Sequence, residues 1–265
     1  RASSRPRKNL YIGIASAAAI LALMFVLWPM MRLETSAESI QVFASLEAPK
    51  EITYSETGER MEVSTPAGTT TSITLNDGTQ VLLSANSRLE YSKSFSADKR
   101  EVKLVGEARF NVAKDAERPF IVHTRQLQTQ VLGTVFDVKA YPQTPADVTL
   151  YEGKVAVSLN GTAPQLMQPG EQASISKEGK LQLAKASEET GKWAEGEFVF
   201  DNKELMGVMQ EIGSWYNISV VFHSRSLLEE RIYFCMSRKA SANEVLAVLN
   251  DMGIAKFELT EKKIV

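Results

Sequence analysis

Two histidines, one cysteine and a few adjacent carboxylates are the residues of this chain whose types suit acid, base or nucleophilic chemistry. His123 closes the run Phe120-Ile121-Val122, and His223 follows Val220-Val221-Phe222. An imidazole at the end of an apolar run acts as a general base only if a nucleophile lies beside it, and neither run supplies one. Cys235 lies in Arg231-Ile232-Tyr233-Phe234-Cys235-Met236, which reads as a strand in which a thiol packs rather than reacts. Glu188-Glu189 and Glu229-Glu230 would serve glycoside hydrolysis only if carboxylates faced each other across a cleft. Neighbouring acids in charged, loop-like sequence mark a solvated face instead. There is no G-x-S-x-G elbow, no G-x-x-x-x-G-K-[ST] loop and no H-E-x-x-H pair. One cysteine forms no intrachain disulfide, and with two histidines it cannot complete a Cys/His zinc cluster. With no nucleophile, base and orienter in sight, the sequence reads as a non-enzyme without cofactor or metal.

The elements that hold these residues follow from composition and pattern. The 265 residues are 44% hydrophobic and 23% charged, with 30 Lys+Arg against 32 Asp+Glu, which describes a folded chain of one or two domains rather than a nucleic-acid-coating one. The charge is uneven along the chain. Arg1, Arg5, Arg7 and Lys8 stand alone before a 22-residue stretch, Leu10 to Met31, that carries no charge. At about 1.5 Å per helical residue that stretch reaches roughly 33 Å, enough for a bilayer core. Its nine Leu, Ile, Phe or Val residues favour insertion by about 0.3 to 0.6 kcal/mol each. Tyr11 and Trp28 fall where interfacial rings settle. The basic flank predicts a cytoplasmic N-terminus and export of residues 32–265. A cleavable signal peptide has a shorter apolar core, and Thr35-Ser36-Ala37 is a poor cleavage site.

Beyond the apolar stretch the period is two. Ile73 and Leu75 lead through Asn76-Asp77-Gly78-Thr79 to Val81 and Leu83, which predicts a hairpin with Asp77-Gly78 at the centre of a two-residue type I′ turn. Val102, Leu104, Ala108, Phe110 and Val112 keep one register through Gly106, with Glu101, Lys103, Glu107, Arg109 and Asn111 on the opposite, wet face. The phase slips at Gly133-Thr134, where a bulge is expected. Turns at Asn160-Gly161 and Glu178-Gly179 complete about ten short strands up to Leu183. After Trp193 the period becomes helical. Asp201 with Glu204 predicts a capped helix carrying Leu205, Val208, Met209 and Ile212 and stopping at Asn217. Ser241 with Glu244 predicts a second, carrying Val245, Val248, Leu249 and Met252 and stopping at Gly253. Each is flanked by strands, in two related β-α-β halves. The expected fold is therefore mainly β, as stacked hairpins in a solenoid- or sandwich-like arrangement, followed by a small α+β domain and preceded by one transmembrane helix.

The order Leu75-Asn76-Asp77-Gly78-Thr79, then Arg100, Val102, Leu104, Gly106-Glu107, Phe110 and Val112, resembles the exported core of FecR-type anti-sigma factors. Pro119-Phe120, Val131-Leu132-Gly133-Thr134 with Phe136, Glu152-Gly153 and Pro169-Gly170-Glu171 continue the match in phase. Trp193 and Phe198 to Phe200 resemble the junction into a C-terminal domain similar to the secretin and TonB short N-terminal domain, as in the versions typical of Bacteroidota. Asn76 stands where the family often has proline. The resemblance implies a single-pass inner-membrane protein that holds an extracytoplasmic-function sigma factor on the cytoplasmic side. It also implies a periplasmic signal from the signalling domain of a TonB-dependent receptor, controlling uptake of iron chelates or glycans. Direct contact with nucleic acid is not implied.

These readings divide the chain into residues 1–9 as a cytoplasmic remnant and 10–31 as the membrane helix. Residues 32–70 follow as a tether ending in a first strand, 71–192 as the FecR β domain, and 193–265 as the α+β domain. The sigma-binding segment is expected upstream of Arg1. Small sheets expose an edge that a partner strand can extend, so receptor docking is expected at Ile218, Val220 and Phe222 or at Arg231 and Tyr233. The alternative is a periplasmic module that tethers an envelope complex without signalling.

Overall fold

The computed structural model describes residues 39–44, 51–142, 144–159, 161–176 and 178–260. The expected membrane stretch Leu10 to Met31 and its basic flank Arg1, Arg5, Arg7 and Lys8 lie outside the described residues, as does Asn160 of one expected turn. Among the described residues no helix is long and apolar enough to cross a membrane.

The fold is mainly β. After β1 (Ser39–Ala44) come β2 (Thr53–Thr57), β3 (Arg60–Ser64), β4 (Thr71–Thr74), β5 (Gln80–Leu83), β6 (Arg88–Ser92) and β7 (Arg100–Asn111). They are followed by β8 (Phe120–His123), β9 (Leu127–Val131), β10 (Val135–Ala140), β11 (Asp147–Glu152) and β12 (Val155–Leu159). The short strands β13 (Gln165–Met167), β14 (Glu171–Ile175) and β15 (Leu181–Lys185) end this run. Strands β2 to β15 form one branched 14-stranded sheet, and β7 is its pivot. The first half of β7 pairs with β6 and β8, and its second half pairs with β5 and β10. Two sheet arms therefore grow from one 12-residue strand. The change occurs at Gly106, with φ of 100°; a Cβ there would lie 2.3 Å from Ser87 Oγ and 2.7 Å from Ser87 Cα, so no side chain is tolerated.

The even residues of β7 point inward along its whole length, as their alternation predicts: Val102, Leu104, Ala108 and Phe110 are all buried. Phe110 stacks on Phe136 at 5.2 Å and lies 6.0 Å from Phe120, so aromatic rings from three strands fill the centre. Each such ring buried adds about 1.5 to 3 kcal/mol of hydrophobic stabilisation.

Two turn expectations are corrected in detail. The β4–β5 hairpin is present, but its turn is not the two-residue type. Gly78 N–H donates to Leu75 O at 2.9 Å and Leu75 N–H to Thr79 O at 2.9 Å, with Gly78 at φ 85°, which is a type I turn closed by a left-handed glycine. The reason is Asp77, whose carboxylate is taken up by Thr79 N at 3.0 Å, Thr79 Oγ1 at 2.7 Å and Arg100 Nη1 at 2.8 Å, which fixes the longer loop. At Gly133-Thr134 the phase slip is a change of strand rather than a bulge within one. β9 pairs with β8 and β12, whereas β10 pairs with β7 and β11.

The C-terminal part contains β16 (Glu197–Glu204), α1 (Leu205–Tyr216), β17 (Ile218–Phe222), β18 (Arg231–Ser237), α2 (Ala242–Asp251) and β19 (Lys256–Thr260), two β-α-β halves in sequence. Leu205, Val208, Met209 and Ile212 of α1 are fully buried together with Val245, Leu246 and Leu249 of α2. Ser241 and Glu244 form the expected capping box, and Asn217 stops α1 in the left-handed conformation at φ 54°. Asp201 does not cap α1. Asn202 turns left-handed at φ 52° in a bulge, β16 runs on to Glu204, and the first helical N–H, of Leu205, is satisfied by Glu230 O at 2.7 Å.

The expected tether stretch holds more than one strand. β2 and β3 pair with each other inside the large sheet. β1 leaves that sheet altogether and lies between β17 and β19, giving the order β17-β1-β19.

Candidate partner-docking site

Ile218, Val220 and Phe222 lie on β17, and Arg231 and Tyr233 on β18, in different sheets: β17 is bonded to β1, whereas β18 is bonded to β16. The structure does not bring the two groups together. On β17 the alternation of a half-buried strand is clear. Ile218, Val220 and Phe222 pack against the C-terminal core, while Ser219 and Val221 are exposed. On β18, Ile232 and Phe234 point inward, and Tyr233 is 65% exposed. Arg231 is engaged, donating to Asn202 O at 2.8 Å and pairing with Glu204 at 3.1 Å. Cys235 is exposed, which corrects the expectation of a packed thiol, because β18 has one wet face and odd residues occupy it.

Each of these strands has one ladder partner among the described residues and one open edge. The β17 edge borders an open groove of about 740 Å³, with Met206 and Gly213 of α1 on one wall and Thr65, Asn86 and Val105 of the large sheet on the other. Gly213 allows this approach: a Cβ there would come within 2.8 Å of Ile218 O.

Beneath the groove α1 is held against the large sheet by a polar seam. Gly68 N–H donates to Trp215 O at 2.6 Å, Asn86 Nδ2 donates to Ser214 O, and Lys139 Nζ meets Glu211 at 3.0 Å. Glu211 also receives Lys203 at 3.2 Å and Arg238 at 2.6 Å. Burial alone would raise the Glu211 carboxyl, but these three cations hold it far below the ordinary carboxylate range. Glu107 projects toward the same cations from β7. Burial and the nearby Glu211 charge raise its carboxyl to about 7, against the pull of Lys139 and Arg238. The side chain of Glu107 accepts no hydrogen bond among the described residues, and it lines both the small cavity of about 130 Å³ beside α1 and a polar cleft of about 380 Å³. Burial also raises the Asp147 carboxyl in that cleft.

At the far end of the cleft Asp137 gathers four donors. Arg109 Nε and Nη2 bind it at 2.8 and 2.9 Å, Tyr151 Oη at 2.8 Å and Trp193 Nε1 at 2.9 Å. Arg109 also stacks 4.7 Å above Tyr151 and donates to Gly191 O at 3.1 Å. Gly191 sits at φ 91°, and a Cβ there would come within 2.3 Å of Tyr151 Oη, so the junction into the C-terminal part needs glycine. Glu107 and Arg109 were expected on a wet face. The C-terminal part covers that face, and alternation cannot distinguish water from a second domain.

The cleft offers fixed charges but no nucleophile beside a base. Among the described residues no group of three or more His, Cys, Asp or Glu is placed to hold a metal. His123 pairs with Glu101 at 3.1 Å on the opposite arm of β7. Chemically the site can bind and position, through main-chain edges and a charged seam.

The FecR protein family model matches residues 61–156, and the model of the FecR C-terminal region matches residues 197–265. Two crystal structures from Parabacteroides distasonis ATCC 8503, each named as a candidate anti-sigma factor, share this architecture. One superposes with a TM-score of 0.63 at 29% identity, covering 73% of this chain and 91% of its own. The other gives 0.64 at 28% identity, covering 76% of this chain and 99% of its own. No curated protein sequence matches. With both family regions present in order and the same fold in these relatives, the chain belongs to the FecR family of anti-sigma factors.

Proposed function

We propose that this anti-sigma factor is a single-pass inner-membrane relay, anchored by Leu10 to Met31, with its bulk in the periplasm. The partner outside is the signalling domain of a TonB-dependent receptor, and the partner inside is an extracytoplasmic-function sigma factor held by a segment upstream of Arg1. The output is control of genes for uptake of an iron chelate or glycan. The observation that supports this reading best is the open edge of β17, which borders a groove of about 740 Å³. A partner strand there would gain main-chain hydrogen bonds from β17 and apolar contact from Met206 and Val105. The edge of β18, with Tyr233 exposed, is the second candidate.

Calorimetric titration of residues 34–265 with the isolated signalling domains of the TonB-dependent receptors encoded near its gene tests the reading. One domain is expected to bind saturably, and Val220→Pro should abolish that binding while Tyr233→Pro leaves it. Absence of binding to every such domain, with the protein folded, would sink the receptor relay. Loss of binding in Tyr233→Pro alone would move the site to β18.

A further inference from the structure

β1 is the middle strand of its sheet. Ile40, Gln41, Val42, Phe43 and Ala44 pair antiparallel with Phe222 to Ile218, and Ser39 to Phe43 pair parallel with Lys256 to Thr260. A central strand satisfies the main-chain groups of both neighbours, so its removal would leave two unpaired edges. β1 is therefore part of the C-terminal sheet, although the family match to that region begins only at residue 197. The chain order gives this placement a consequence. Only the seven residues 32–38 separate β1 from Met31, and they can extend to at most roughly 25 Å. Leaving the apolar stretch, the chain enters the docking sheet first. Residues 45–52 then carry it to β2 and the large sheet.

We infer that β1 is the element that carries a partner contact on β17 to the membrane-proximal segment, and that the large β sheet lies off this path. The inference rests on the proposed docking at β17. A strand added to the free edge of β17 lies two ladders from β1, with only β17 between them. A displacement along β1 loads the ladders on both of its sides together, so β1 moves with the sheet rather than peeling from it one bond at a time. By the route through the large sheet, the same displacement would cross the polar seam and residues 45–52 before returning to β1.

Two insertions in the full-length membrane protein separate the routes. Six Gly/Ser residues placed within 32–38 should cut induction of a sigma-dependent reporter at least tenfold, because a flexible spacer absorbs the displacement. The same six placed within 45–50 should leave induction within twofold of wild type. Calorimetric affinity for the receptor signalling domain should be unchanged in both, and amide exchange protection in β17 and β19 should be kept. Loss of induction in the 45–50 variant with binding intact, or full induction in the 32–38 variant, would overturn the inference. Loss of protection in β17 and β19 on insertion at 45–50 would show that the large sheet holds β1 in place, and would overturn it too. If the wild-type protein binds no receptor domain, the docking reading itself fails, a result recognisable because it precedes either insertion.

Discussion

Two buried charge clusters in this molecule are built differently. Inside the large sheet, Arg100 is fully buried and Asp77 is 5% exposed, and the two pair directly, with Arg100 Nη2 left without a hydrogen-bond partner among the described residues. Arg100 Nη1 meets Asp77 at 2.8 Å and Ala113 O at 2.8 Å, Nε meets Arg118 O at 3.0 Å, and the guanidinium lies 5.5 Å from the Phe120 ring centre. One cation thus ties the β4–β5 turn to the loop before β8. At the seam, Glu211 gathers three cations while Glu107, a second carboxylate nearby, forms no ion pair among the described residues. The first cluster staples loops within one core. The second joins two parts of the chain through the ion pairs of Glu211, and beside them burial raises the Glu107 carboxyl to about 7.

The largest effect should come from breaking the Arg100–Asp77 pair. Arg100→Met leaves the Asp77 carboxylate buried without its cation, and a loss of about 3 to 5 kcal/mol is expected in chemical denaturation. Asp77→Asn, which retains a hydrogen-bond acceptor, should lose less. If Arg100→Met costs under 1 kcal/mol, the contrast between the clusters collapses.

Breaking the seam should cost less and act locally. Glu211→Gln removes the charge shared by Lys139, Lys203 and Arg238, and about 2 kcal/mol is expected. Hydrogen exchange should quicken in α1 while the interior of β7 keeps its protection. Uniform acceleration through both would mean that the seam and the large sheet unfold as one unit.

The smallest effect is one of slope. The folded-state value of Glu107 is raised to about 7, so between pH 4.5 and 7 the folded chain holds a proton that the unfolded chain has released. Its contribution is fully present below about pH 4.5 and is lost as pH rises through 7. Glu211 acts in the opposite sense, because its lowered value gives stability that is present above its ordinary range and is lost in acid. Glu107→Gln should flatten the decline between pH 5 and 8 by a few degrees in Tm, measured by thermal denaturation. A decline of unchanged steepness in the variant would assign it to other groups.

Much of the architecture is legible in the sequence. The even register of β7, the hairpin at Asp77-Gly78, the capping box at Ser241 and the helix stops at Asn217 and Gly253 are local, each set by side chains within a few residues of one another. The errors share a different origin. Asp201 has the residue type of a cap, but β16 pairs with β18 as far as Glu204 and holds it in a strand. Glu107 and Arg109 have the pattern of a wet face, and only the packing of α1 and the Trp193 junction removes water from them. In the candidate site, Ile218 to Phe222 could be read as a strand, but neither its half-buried alternation nor its partner strand could.

The sequence by itself determined the inward face of β7, the hairpin at Asp77-Gly78, the Ser241 cap and the stop at Asn217, because hydrophobic period, turn chemistry and capping act over a few residues. Tertiary structure decided that β1 completes a sheet whose other strands come more than 170 residues later, that β7 serves two sheet arms, and that Glu107 of the large sheet faces α1 and β16. Strand pairing is made of main-chain hydrogen bonds common to every residue, so a strand's sequence states that it will pair while leaving its partner to the packing of the whole chain.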